Sequence, residues 1–299
     1  MTVRAITQND FPAAAVFLAE DETDHFGRPS RLGLVDLTAW LARVDLERDT
    51  WLFVEEGRIV ALGWVEAHHD TGIVVGVVHR DEVGRGFGSR LVDLTEERLR
   101  ELGVARIHSV VLAPDDAAAP LLEARGYRRV RRFWEMTIEL GEKPPPEPSL
   151  PDGLSIEPVS EETRRPFHSA LEEAFAEHWG HQPETFEEWW ERQFAKPDYD
   201  PSLWYLVRAG DEVAAVARND PERAGGGWIG AIGVRPLWRG QGLAKVLLLH
   251  SFREFHRRGR RRVGLGVDSD NETGATQLYE SVGMVVDAEQ VVWEKVLAT

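Results

Sequence analysis

Polar and apolar positions alternate in two matching blocks. WLFVEEGRIVALGWVEA (51–67) reads as two strands joined at a Glu-Gly turn, and LWYLVRAGDEVAAVARN (203–219) reads the same way around Ala-Gly-Asp. Each block is followed by a short apolar strand, GIVVGVV (72–78) and GWIGAIGV (227–234). A glycine-rich stretch comes next, then a helical period. Phe87, Leu91 and Leu94 stand at i, i+4 and i+7, and Leu243, Val246 and Leu247 at i, i+3 and i+4. Strands over 106–112 and 262–268 follow, then a short helix that ends at Gly126 or Gly283. The pattern predicts an α/β protein of two units. Each is an α+β mixed sheet with a strand–glycine loop–helix element at its centre.

The repetition keeps register. Val83-Gly-Arg-Gly-Phe-Gly88 and Arg239-Gly-Gln-Gly-Leu-Ala244 lie 156 residues apart, as do Gly103 and Gly259. LLEARGY (121–127) and LYESVGM (278–284) lie 157 apart. A period this long means duplicated domains rather than a solenoid. Between the copies, Gly141 to Gly153 holds five prolines and no apolar period, the composition of a semi-rigid extended spacer. The expected division is 1–140, a Pro-rich linker at 141–152, and 153–299. The 299 residues suit two domains at ~100–200 residues each.

Composition removes several function classes. Hydrophobic residues make up 42% and charged residues 29%, which suits a folded chain rather than a disordered one. No apolar run approaches the ~18 residues of a membrane span, and MTVRAITQND lacks a signal-peptide core. A cytoplasmic location with no membrane partner is expected, and a monomer is plausible. Cysteine is absent, which excludes thiolate metal sites and a cysteine nucleophile. Net charge is −16, with both halves acidic, so nucleic acid is not an expected partner. Arginine-rich, lysine-poor usage (31 against 4) hints at a GC-rich bacterial genome.

The glycine loops are the candidate chemistry. Neither has the lysine of a P-loop, and neither keeps Gly-x-Gly-x-x-Gly spacing: Ser89 and Lys245 stand at the third glycine position. An anion cradle remains, because converging N–H groups and a helix N-terminus suit a pyrophosphate. Tight-turn geometry alone would also call for glycine.

Arg239-Gly-Gln-Gly-Leu-Ala244 resembles the [Arg/Gln]-x-x-Gly-x-[Gly/Ala] motif of GNAT (GCN5-related) N-acetyltransferases, and the segment from Asp270 to Gly283 resembles that family's Asn…Leu-Tyr-Glu-x-x-Gly element. The resemblance covers nearly the whole chain as two tandem domains. Through VDSDN (267–271) and AFAEHWGH (174–181) it is most similar to the mycothiol synthase branch. It implies an acetyl-CoA-dependent transferase acting on a primary amine of a small molecule. The loop of Arg239, Gly240, Gln241, Gly242, Leu243 and Ala244 would bind the cofactor, with the amides of Gln241 to Ala244 holding the pyrophosphate. Backbone of Ile232, Gly233 and Val234 would pair with the pantetheine arm, with Asn271 nearby. In the first copy the corresponding positions are Val77, Val78, Gly84, Arg85, Gly86, Phe87, Gly88 and Ser89.

With no cysteine, direct attack of a neutral amine in a ternary complex is the natural route. Tyr279 is the expected acid for the leaving thiolate, on a helix that Asn271 would cap. Its counterpart in the first copy is Leu122, with Pro114 for Asn271 and Val83 for the loop arginine, so only the second domain is expected to be catalytic. In mycothiol synthases a carboxylate stands on the strand entering the loop, where this chain has Trp228. The candidates for the base are then Glu222 and His178, with Asp220, Glu177 and His181, a water relay, or an amine that arrives neutral. The aromatic segment 174–193 is the expected substrate wall or, more plainly, an amphipathic helix pair. Arg253, Arg257, Arg258, Arg260, Arg261 and Arg262 either capture a CoA phosphate or simply neutralise a helix C-terminus. The rival readings are mycothiol synthase itself and a non-catalytic acyl-CoA-binding protein.

Overall fold

The computed structural model describes residues 1–115, 117–194, 199–271 and 274–297. Two compact units account for them. The first comprises residues 1–134, 268–270 and 288–299. The second comprises 135–267 and 271–287. No described helix is long and apolar enough to cross a membrane.

In the first unit, β1 (Thr2–Arg4) leads to α1 (Phe11–Phe26), α2 (Leu34–Leu41) and a single turn α3 (Leu46–Asp49). Strands β2 (Thr50–Glu55), β3 (Arg58–His68) and β4 (Thr71–Val78) form an antiparallel meander. The β2–β3 turn is Glu56-Gly57, as the polarity pattern predicts, with φ at +51° and +79°. Next come α4 (Phe87–Glu101), β5 (Arg106–Ala113), α5 (Ala118–Ala124) and β6 (Arg128–Glu139). Ile6, Phe17, Leu18, Leu37, Leu52 and Leu62 form a core between the sheet and the first helices.

The second unit repeats the plan with β7 (Leu154–Pro158), α6 (Arg164–Phe175), α7 (Phe186–Phe194), β8 (Tyr205–Ala209), β9 (Glu212–Arg223), β10 (Gly226–Val234), α8 (Leu243–Arg257), β11 (Arg262–Asp268), α9 (Ala275–Ser281) and β12 (Val285–Val296). Leu243, Val246, Leu247, Phe252 and Phe255 form the buried stripe of α8, the 3.6-residue period read from the sequence. Phe167, Trp189 and Trp204 are also buried, so the aromatic segment supplies core from α7.

The units are not the two contiguous halves that the repeat suggested. Residues 288–299 belong to the first unit, where β12 runs antiparallel to β5 from Glu289↔Ala113 to Val296↔Arg106. Residues 135–139 of β6 belong to the second. The repeat landmarks lie upstream of these last strands and carry no information about which unit each strand joins. The Pro-rich stretch is irregular, but it is docked rather than free. Arg253 donates to the Pro145 carbonyl (2.6 Å), and His256 Nε2 lies 3.1 and 3.0 Å from the carbonyls of Gly141 and Glu142.

Candidate active site

β10 and β11 are parallel partners for only three residue pairs, Gly227↔Val263 to Ile229↔Leu265. β10 continues to Val234 and β11 to Asp268. From Gly230 onward, the β10 edge that faced β11 presents N–H and C=O groups to no strand among the described residues. The other edge stays paired with β9 as far as Val234↔Ala215. That ladder is interrupted between Ile229 and Ala231, leaving Gly230 as the extra residue of a bulge.

The open edge leads directly into the glycine loop. Gly240 and Gly242 both have φ of +77°, a conformation that costs an L-residue ~1–2 kcal/mol. Gly242 is the N-cap of α8, and no side chain caps that end. The first N–H groups of α8 therefore lack intrahelical acceptors and sit at the positive end of a 15-residue helix. An extended amide-bearing arm along the edge and an anion at the helix start both fit this arrangement.

One face of this strand is covered by α6 and the segment after it. A Cβ on Gly233 would lie 2.7 Å from the Ala174 Cβ and 3.2 Å from the Phe175 ring. The His178 ring lies 4.4 Å from Phe175, and its backbone N–H donates to the Phe175 carbonyl at 2.9 Å. His178 is thereby brought to the β10 face. Arg239 donates to Glu177 (2.8 Å) and Arg235 to Glu173 (2.7 Å), tying the same segment to the loop.

Glu222 lies elsewhere. It accepts from Arg260 at 2.7 Å, two residues beyond Asp220, at the β9–β10 hairpin. Bonded there, it does not reach the open edge. The arginine cluster also lies far from the loop. Arg257 and Arg258 bond Glu254, Arg258 also bonds Asp200, Arg262 bonds Asp287, and all six arginines crowd the C-terminal end of α8 and just beyond. That end is ~22 Å along the axis from Gly242, so capture of a phosphate by this cluster at the loop is not what the fold provides.

Tyr279 stands in the second turn of α9 and is half-buried. Burial pushes its hydroxyl up to about 12, and the hydroxyl bonds to no described residue. Asn271 is not the helix cap: α9 begins after Gly274 (φ +77°), and Glu272 and Thr273 lie outside the described residues.

The first unit has a related opening. β4 and β5 pair only from Thr71↔Arg106 to Val74↔Ser109, which leaves the β4 edge around Val77 and Val78 open. Gly86 (φ +90°) is the uncapped N-cap of α4. Arg85 is bound to Glu55 (2.8 Å) and Glu82. A Cβ on Gly88 would meet Leu121 at 3.0 Å. Leu122, in the place of Tyr279, is 4% exposed and part of the core.

The periodicity missed the Gly230 bulge and the groups around it, although a trace was legible. Gly72 lies against Leu99 and Gly227 against Phe255, yet these glycines are 155 apart while the loops and the two aromatic or aliphatic contacts are 156 apart. The second copy carries one extra residue, and it is accommodated at the bulge.

Comparison with known proteins agrees with this geometry. The model of the acetyltransferase (GNAT) family matches residues 15–127 and 164–284. A mycothiol acetyltransferase of Thermomonospora curvata is 32% identical over 287 residues, covering 93% of this chain and 91% of the relative. A GCN5-related N-acetyltransferase from Sphaerobacter thermophilus superposes with a TM-score of 0.86 at 32% identity, over 99% of this chain and 95% of its own. A tandem GNAT protein from the clavulanic acid biosynthesis pathway shares the fold, with a TM-score of 0.76 at 18% identity over 100% and 99% of the two chains.

Proposed function

The chain belongs to the acetyltransferase (GNAT) family, and from that premise we propose that its second unit moves acetyl from acetyl-CoA to a primary amine of a small molecule by direct attack in a ternary complex. Acetyl-CoA-dependent N-acetyl transfer comes with the family; the unit, the acceptor and the residue roles are the proposal. The observation that carries it is the open edge of β10 running straight into the uncapped start of α8.

Acetyl-CoA supplies an activated acyl group on a good leaving thiolate. Ile232, Gly233 and Val234 hold the pantetheine amides as a neighbouring strand would, with Asn271 beside the arm. Amides from Gln241 to Ala244 receive the pyrophosphate. Arg239 stays anchored to Glu177 and braces the loop. Tyr279 holds its proton at neutral pH because burial raises its hydroxyl to about 12, and it donates toward the departing sulfur. His178 lies on the covering segment, where an acceptor enters.

The test is free-thiol release from acetyl-CoA with a panel of aminoglycosides, polyamines, amino acids and a cysteinyl glucosamine. Turnover with at least one amine, abolished in the second unit's variants alone, is the expected result. Tight CoA binding without turnover on any amine would replace this reading with an acyl-CoA-binding protein. A second reading, acetylation of a cysteinyl glucosamine–inositol, is favoured by the full-length similarity to mycothiol acetyltransferases. Trp228 on β10, where a carboxylate would be expected, weighs against it.

A further inference from the structure

The first unit carries a carboxylate that its own repeat would pair with an arginine. α1 and α6 keep the 156-residue register of the two copies. Phe17 packs on His79 with ring centroids 6.3 Å apart, and the corresponding Glu173 accepts from the corresponding Arg235 at 2.7 Å. Further along the same segment, Glu177 accepts from Arg239 at 2.8 Å. The matching residues of the first copy are Asp21 and Val83. The backbone there is nearly the same in both copies: Val83 has φ −61° and ψ 141°, Arg239 φ −65° and ψ 158°. The first copy therefore keeps the acid and the turn, and lacks the cation.

No other described arginine takes that place. Arg80 pairs with Asp24 at 3.5 Å, and Arg85 is held by Glu55 and Glu82. Asp21 is half-buried and bonds to no described residue. The charges that act on it come from His25 and Asp24 of its own helix, from His79 just past β4 and from Asp115 just past β5. Its surroundings are thus the ends of the two strands that part in this unit. Asp115 already accepts from the N–H groups of Ala117 and Ala118, and His79 Nδ1 from that of Asp81. His25, one turn beyond Asp21 on the same helix face, has a buried Nε2 with no partner among the described residues. A carboxylate and an imidazole nitrogen are left side by side without a donor. Burial raises the Asp21 carboxyl to about 6, so at neutral pH it is charged with no cation bonded to it.

We propose that Asp21 and His25 form a binding site for a small alkylammonium ion at the mouth of the first unit's cleft, in the place that the Arg239 side chain fills in the second. An ammonium head has three N–H donors and meets two acceptors on adjacent helical turns at once, whereas the planar fork of a guanidinium matches a single carboxylate. The ion is held as a cation and gives up no proton. Leu122 fills core where the second copy has Tyr279, so the site binds without transfer. It concerns the first unit alone and stands whether or not the second unit turns an amine over.

The experiment follows the Asp21 carboxyl carbon by NMR in the full-length chain with isotope-labelled aspartate, its signal assigned by its loss in Asp21→Asn. The pH titration is repeated with rising butylammonium chloride. Tetramethylammonium chloride at the same ionic strength supplies the charge without N–H donors. With butylammonium alone, the titration midpoint is expected to move from about 6 toward the ordinary ~4 along a saturating curve. In Val83→Arg the midpoint is expected near ~4 before any amine is added, and butylammonium moves it no further. The same substitution raises the unfolding temperature at pH 8, because the missing ion pair is restored. A shift equal for the two cations, or one that does not saturate, is screening only and overturns the proposal. An Asp21 midpoint that Val83→Arg leaves unmoved overturns it as well.

Discussion

The two clefts share a plan and differ in four places around their openings. Both open where a parallel pair stops, after Val74 in one and Ile229 in the other. Both lead to a glycine-capped helix. Only β10 is interrupted by a bulge beside its opening, since β4 pairs with β3 without a register shift. In the second loop Arg239 is tied to Glu177 of the covering segment, whereas in the first loop Arg85 is turned back onto Glu55 and Glu82. Where the Tyr279 hydroxyl bonds to no described residue, Leu122 fills core. Where Arg235 follows the second strand, His79 follows the first, near the half-buried Asp21. Duplication preserved what holds a sheet together and let the residues around the openings diverge.

Four substitutions test that contrast. Tyr279→Phe is expected to lower kcat by ~100-fold or more, while Leu122→Ala leaves turnover of the same assay within about twofold. An equal loss in both would erase the functional asymmetry. Unfolding should show the reverse. Leu122→Ala removes a buried side chain and costs ~2–5 kcal/mol, whereas Tyr279→Phe deletes a hydroxyl that bonds to no described residue and shifts the denaturant midpoint little.

Gly242→Ala is expected to weaken CoA binding by about tenfold, equivalent to ~1.4 kcal/mol, because the loop must abandon its left-handed turn. Gly86→Ala incurs the same backbone strain of ~1–2 kcal/mol but leaves calorimetric CoA affinity untouched. A matching loss would mean that both clefts hold the nucleotide.

The last test concerns Asp21. Burial raises its carboxyl from 3.8 to about 6, so the folded chain binds its proton more tightly than the unfolded chain does. That carboxyl therefore costs stability progressively as pH rises from about 4 through 6, and fully above. Asp21→Asn should raise the unfolding temperature at pH 8 and change it little at pH 4. A gain independent of pH would assign the effect to packing instead.

Much of this was legible in the residues. The hairpins at 51–67 and 203–219, the two glycine loops and the strands after them follow from polarity alternation and turn residues, which act locally. Tyr279 and Leu122 could be set against each other because the repeat register was intact. Glu222 and the arginine cluster were not placed correctly by proximity in sequence. A hairpin end and a helix C-terminus carry their side chains away from the opening, a matter of tertiary direction. Arg218 of β9 donates to Gln193 of α7, 25 positions away, and no local period encodes that contact. The bulge left only a one-residue discrepancy between glycine spacings.

β12 has a consequence for how this protein comes into being. Eight residue pairs join it to β5 within the first unit, so that sheet waits on a strand made long after β5 itself. A ribosome that has released residues 1–140 has exported a sheet whose β5 edge lacks its partner. Severing the chain in the proline-rich stretch would therefore not yield two self-sufficient pieces. The N-terminal fragment would emerge with a bare, adhesive margin, soluble only when supplied with the missing strand as a separate peptide.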